Sequence, residues 1–441
     1  MFALAVLFGM NLLNYVDRYV FFSVKELVAR DLNLDDTRLG WLDVSFMIVY
    51  TLASPLVGWM GDRYHRRRLM AFGVALWSVA TVGSSFATDF SHLFFWRSLL
   101  GIGEASYGIL APTLLADLFP PKWRGRAMGV YFMALPLGGA VGYGIGGWVG
   151  EHYGWRHAFW IVGLPGLAAS LAALVIHDPG RGGSAGSDSS KKPGWPEYLS
   201  ILKTRSFVYN TAGLAAVTFA TGAFAAWGAV FYQRVRGMSP GETGIIGVLM
   251  GLGGAVGIGL GTWGADRLQR RMRRAYMIWG GAAVALALPL SIGAIMDPNR
   301  VASLSLLFLA SVVMSSVLGP CNTVTANVVP ADRRAAGYAI SIFLMHLFGD
   351  ISSPLMIGFL SDLFGKPSIT GSGLGIWLTS VGAGAVPSPA GPTNLIVGML
   401  TLVPMLALGS IFFSIGSRYL PADQERARLA GGDGAGPVFY H

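Results

Sequence analysis

Apolar residues in this chain do not alternate as in a strand, nor do they keep to one face of a helix. They run in twelve long blocks broken by short polar stretches, near 2–27, 39–61, 69–88, 91–118, 127–149, 155–177, 206–232, 242–265, 275–296, 301–329, 335–363 and 392–418. About 20 apolar residues cross a hydrocarbon core of roughly 30 Å. A helix satisfies its own backbone there without help from water. The pattern predicts an all-α membrane protein with twelve transmembrane helices. A Gly/Ser/Asp/Lys stretch after Asp178-Pro179-Gly180-Arg181 reads as a flexible linker and divides the blocks six and six. The expected organisation is a first six-helix half over 1–177, a linker over 178–205, a second half over 206–418 and a tail over 419–441. The first block opens at Met1 without the basic flank or cleavage site of a signal peptide. A short cytoplasmic segment is expected ahead of it. The polar stretch 364–391 carries an apolar piece, Ile376-Trp377-Leu378, with no role assigned.

The charges sharpen this picture. Of 32 Lys and Arg, the stretches after blocks 2, 4, 6, 8 and 10 and the tail hold 22, and the other side holds eight. That asymmetry predicts both termini in the cytoplasm. The net charge of +9 sits in these short clusters rather than on one face, which argues against a nucleic-acid partner. Only 12% of residues are charged and 53% are hydrophobic. The mean hydropathy of +0.54 excludes a soluble enzyme. The 61 glycines lack a Gly-X-Y period and fit close helix packing in a bilayer. One cysteine, Cys321, leaves no disulfide or metal cluster to build. N-glycosylation sequons are missing and the loops are short, so a bacterial inner membrane is favoured and a monomer is expected.

The halves repeat one another. Gly61-Asp62-Arg63-Tyr64-His65-Arg66-Arg67-Arg68 after block 2 is answered by Gly264-Ala265-Asp266-Arg267-Leu268-Gln269-Arg270-Arg271 after block 8. Pro120-Pro121-Lys122-Trp123-Arg124 is answered by Pro330-Ala331-Asp332-Arg333-Arg334. Such repeats build two conformations around one central site. The Gly58-x-x-Gly61-Asp62-Arg63 element resembles the loop 2–3 signature of the major facilitator superfamily, which implies two pseudo-symmetric six-helix halves. Asp62, Arg63, Asp266 and Arg267 are then expected to act as a conformational gate. Within that superfamily the first half is similar to the Spinster family of lysolipid and sphingosine-phosphate transporters. The pieces that carry this are Asn14-Tyr15-Val16-Asp17-Arg18, Gly101-Ile102-Gly103-Glu104-Ala105-Ser106-Tyr107, Ala111-Pro112-Thr113, Ala116-Asp117-Leu118-Phe119 and Pro136, Gly138, Gly142-Tyr143. They are dense over residues 10–160 and thin in the second half.

Ionisable groups inside spans are expensive and mark functional sites by default. Glu104 falls near the middle of its span, with Arg97 two helical turns earlier on the same face. Asp17 and Arg18 lie in the outer half of the first span. These four form one expected polar cluster. Burial and a nearby arginine push a carboxylate's proton affinity in opposite directions, which suits proton binding and release. Arginine suits a phosphate head group. A static salt bridge locking span 1 to span 4 is the alternative for the same residues. The Spinster resemblance implies that Asp17 and Glu104 couple protons, with Arg18 and Arg97 beside them. In the second half His346 and Asp350 are one turn apart, a second polar pair that either relays protons or satisfies itself. Asp43, Asp117 and Asp362 lie near span ends as weaker candidates. Tyr15, Tyr107, Phe224 and Trp227 are weak candidates for lining a cavity.

Gly142-Tyr143-Gly144-Ile145-Gly146-Gly147 fits a dinucleotide pattern but lies inside a hydrophobic span. Gly138, Gly142 and Gly146 recur every fourth residue and predict a helix-packing stripe, as does Gly251–Gly261. Hydrolase, protease and ATPase motifs are missing, so no cofactor and no enzyme activity are expected. The expectation is secondary active transport of an amphipathic anionic lipid, coupled to protons. A drug or small-metabolite antiporter of the same fold, and an uncoupled lipid scramblase or receptor, stay open.

Overall fold

In a computed structural model the described residues are 2–61, 63–176, 178, 200–330 and 333–430. Asp62, most of the expected linker and the end of the tail lie outside them. The described chain is helical, and its only strand-like feature is an isolated bridge between Val386 and Thr393. The helices are α1 (Phe2–Leu32), α2 (Asp36–Gly61), α3 (Arg66–Ser84), α4 (Phe90–Leu118), α5 (Pro121–Phe132), α6 (Ala134–Tyr153), α7 (Trp155–Val175), α8 (Arg205–Arg234) and α9 (Gly244–Gln269). They continue with α10 (Ala275–Met296), α11 (Arg300–Ser315), α12 (Leu318–Val328), α13 (Arg334–Phe348), α14 (Ser352–Gly365), α15 (Pro367–Thr370), α16 (Gly373–Ser380), α17 (Leu395–Leu400) and α18 (Leu402–Ala430). The short α15 and α16 occupy the stretch expected as a long loop.

Among the described residues, ten segments are long and apolar enough to span a bilayer. The other two expected spans are α1, which carries Asn11, Asn14, Asp17 and Arg18, and α3, which opens on three arginines. Leu52, Phe72, Leu171 and Trp263 are highly exposed on these helices, a surface suited to lipid.

Four spans are broken in two, and one cause serves for all. Proline lacks an N–H and its ring collides with the carbonyl four residues earlier. Pro136 follows the α5–α6 break, Pro320 the α11–α12 break, Pro354 the α13–α14 break and Pro404 the α17–α18 break. Pro55, Pro112, Pro165 and Pro289 sit inside unbroken helices, so proline allows a break without imposing one.

The described residues divide into two compact units. One is drawn from Met1–Ser187, Ala225–Gly251 and Pro354–Gly398, the other from Asp188–Phe224, Leu252–Ser353 and Met399–His441. In the first unit α1 packs on α6, α2 on α4, and α3 on both α4 and α7. The expected glycine stripe makes the first of these contacts. A Cβ on Gly142 would stand 2.6 Å from the Val16 carbonyl oxygen, and one on Gly146 would stand 3.0 Å from the Val20 Cα. In the second unit Gly257 and Gly261 of α9 press on Val312 and Ser316 in the same way. Here α10 packs on α18 and α11.

Candidate functional site

The first unit buries charge along the facing sides of α1, α2 and α4. Glu104 is 1% exposed, and its Oε2 accepts a 2.7 Å hydrogen bond from Nη2 of Arg18. The Arg18 guanidinium lies 4.6 Å from the centre of the Phe46 ring and 5.6 Å from that of Tyr15. Asp17 is buried and accepts from the Thr81 hydroxyl of α3. Arg97 is fully buried, 4.1 Å over Phe21 and 5.6 Å from Phe46. The four expected residues are therefore brought together, by α1, α3 and α4 at once.

The same surface holds charges that sequence reasoning passed over. The α1 helix runs to Leu32 rather than ending near residue 27, which puts Lys25 and Glu26 about two turns from its end. Lys25 is fully buried. Its ammonium bonds the Asp43 carboxylate of α2, donates to the Ala226 carbonyl at 3.3 Å and lies 3.9 Å over the Trp227 ring. Above it, Arg234 donates to both Glu26 and Asp36 at 2.6 Å, and all three are buried. Asp36 also accepts from the Ser361 hydroxyl at 2.7 Å. Asp362 accepts from the backbone N–H groups of Asp36 and Thr37 at 3.1 and 2.7 Å, capping the α2 N-terminus where an anion is favoured. The readable signal is the Lys25-Glu26 pair inside the apolar block 2–27.

At the other end of these helices Arg66 bonds Asp117 at 2.6 Å and lies 3.6 Å from Asp178. Arg63 is exposed against the Trp59 ring at 4.1 Å. In the second unit exposed Asp266 accepts from the Tyr276 hydroxyl at 2.9 Å, and Arg267 is exposed. His346 and Asp350 meet there at 2.7 Å, with side chains 33% and 25% exposed. Among the expected cavity residues, Tyr15 borders the ladder of charges, and Phe224 is buried. Tyr107 and Trp227 are also buried, donating to Leu7 at 2.5 Å and to Pro354 at 3.1 Å. Their polar atoms are already used. Groups that could hold a metal ion are missing among the described residues.

A buried, ion-paired carboxylate beside two arginines inside an apolar helix bundle is costly unless its charge is used. Sequence comparison gives that cost a context. The Major Facilitator Superfamily model matches residues 7–349. Protein spinster of Drosophila melanogaster is 32% identical over 83% of this chain. Protein spinster homolog 1 of Rattus norvegicus is 34% identical over 81% of this chain and 72% of its own length. The chain belongs to the Spinster family of that superfamily. This Spinster chain spans 62% of the length of the Drosophila relative. Its fold matches a bacterial homolog to human lysosomal transporter Spinster, solved inward-facing and unoccupied. The TM-score is 0.81 at 24% identity, over 96% of this chain and 97% of that one. A D-xylose-proton symporter shares the fold at a TM-score of 0.68 and 14% identity, over 96% and 98% of the two chains. The Spinster chain is a multi-pass membrane protein of the Major Facilitator Superfamily.

Proposed function

We propose that this Spinster-family transporter moves an amphipathic anionic lipid, of the sphingosine-1-phosphate or lysophospholipid type, by proton-coupled alternating access. The observation that carries the reading is Glu104, buried mid-helix and held by Arg18 through one oxygen while the other has no hydrogen-bond partner. A proton on Glu104 would remove its full charge from a low-dielectric site and release the Arg18 guanidinium for a phosphate oxygen. Asp17 takes part as the second proton acceptor, and Arg97 as the second cation. The six-helix halves 1–177 and 206–418 rock about this site, joined by 178–205, with Asp62, Arg63, Asp266 and Arg267 steadying one end state. The basic asymmetry sets both termini in the cytoplasm, which makes the α1–α2 connection an outer one.

The test is proton flux into proteoliposomes on adding sphingosine phosphate or a lysophospholipid, for wild type and Glu104→Gln. Lipid-triggered flux that vanishes in the variant supports the reading. Lipid movement without proton flux leaves an uncoupled carrier or scramblase. If neither moves, the cargo is a drug or small metabolite.

A further inference from the structure

Three carboxylates in the first unit share one unusual property. Asp17, Glu104 and Asp43 each bond a partner through one oxygen, respectively Thr81, Arg18 and Lys25. In each the second oxygen is buried and has no hydrogen-bond partner. Arg97 is their complement: its Nε and Nη1 are buried donors without a partner. Buried donors and acceptors left unpaired are costly. Four such residues in one cluster mark a place with more than one arrangement.

The positions order the cluster along the helix axes. Arg18 stacks on Phe46, and so does Arg97, which also covers Phe21. Phe46 is one turn from Asp43, and Phe21 is one turn from Lys25. Arg97 therefore stands between the Arg18–Glu104 pair and the Lys25–Asp43 pair. Asp43, Asp17 and Glu104 all act on its charge. Lys25 in turn bonds the Ala226 carbonyl and lies against Trp227 on α8, about two turns from the Arg234 clamp on Glu26 and Asp36.

We infer that Arg97 is a shuttling counter-ion, and that Lys25 and Asp43 belong to the coupling machinery as a latch it opens. The inference rests on the proton-coupled reading above. With Asp17 and Glu104 ionised, their charges hold Arg97 and leave Asp43 to Lys25. Protonation of the two inner carboxylates frees Arg97 to pair with the spare oxygen of Asp43. Lys25 then loses part of its counter-ion, and its hold on α8 weakens beneath the Arg234 clamp. Acid thus loosens the α1–α2 end. The phenols facing the cluster, Tyr15 and Tyr50 beside Arg18 and Tyr143 beside Asp43, ordinarily titrate near 10 and stay neutral through this range.

Ser361, fully buried and bonded to Asp36, reports on that end. In nanodiscs, a Ser361→Cys variant in a Cys321→Ala background is labelled with a membrane-impermeant maleimide at about pH 8 and pH 5.5. Its rate is divided by that of exposed Ser380→Cys, which removes the thiol's own pH dependence. The normalised rate is expected to rise about fivefold at the lower pH, and by less than about twofold when Lys25→Met and Asp43→Asn are added. Should that variant not be monodisperse, the swapped pair Lys25→Asp with Asp43→Lys keeps the net charge and sets a cation toward Arg97. It is expected to label slowly at both pH values. A full response to acid in either altered pair overturns the latch while leaving proton coupling intact. A wild type whose labelling ignores pH while lipid-triggered proton flux persists overturns the latch alone, and one that also lacks the flux overturns the proton reading with it.

Discussion

The Glu104–Arg18 and His346–Asp350 pairs differ in what surrounds them. Glu104 and Arg18 meet at 2.7 Å with the carboxylate 1% exposed, amid Asp17, Arg97 and two aromatic rings. His346 and Asp350 also meet at 2.7 Å, yet a quarter to a third of each is exposed and they lie one turn apart on one chain segment. Equal distances conceal unequal energetics. The half-buried pair is made within one turn of one segment, whereas the buried one joins two helices and cannot lose a partner cheaply. The lesson is that burial by several helices, rather than the presence of a charge pair, separates a coupling candidate from a local contact.

Glu104→Gln should have the largest effect. Proton flux is expected to fall at least about tenfold and thermal stability by about 2 kcal/mol, since Arg18 keeps only a neutral partner. Flux assays and melting in detergent check this; a variant with wild-type flux would erase the contrast. Next comes Gly142→Ala, which acts through the backbone that carries Asp17 and Arg18. Its new methyl would meet the Val16 carbonyl and the Tyr19 side chain at 2.6 and 2.8 Å. Overpacking of about 1–3 kcal/mol is expected, with flux reduced in step. Melting temperature and flux measured together would show whether the α1–α6 approach matters to the site.

The exposed pair should matter less. His346→Gln and Asp350→Asn are each expected to change flux by less than about threefold, since the pair ties no second helix to the first. An Asp350→Asn variant as damaged as Glu104→Gln would move the coupling site into the second unit. Smallest of all is Asp89, an exposed carboxylate that accepts from the His92 backbone N–H at the start of α4. That bond holds its carboxyl below the usual range. Its contribution is present above the ordinary carboxylate range and fades as pH falls through the lowered value. Asp89→Asn keeps an acceptor but removes this titration, so the acid limb of the melting profile should flatten slightly.

Much of this protein was legible in the chain because the bilayer imposes a length and an apolar content on each element. Twelve apolar blocks, the Gly138-Gly142-Gly146 stripe and the cost of Glu104 in lipid all follow from local sequence. The partners of Arg234 did not. It lies 208 residues from Glu26 and 198 from Asp36, and only folding makes them neighbours. Nor did the bond from Lys25 to Asp43, which joins α1 to α2. The sequence by itself determined that charges would be trapped in the membrane, since each residue's transfer cost is its own. Which charges answer one another was decided by the tertiary structure, because pairing depends on helix approaches of a few ångströms that glycines permit and distant residues complete.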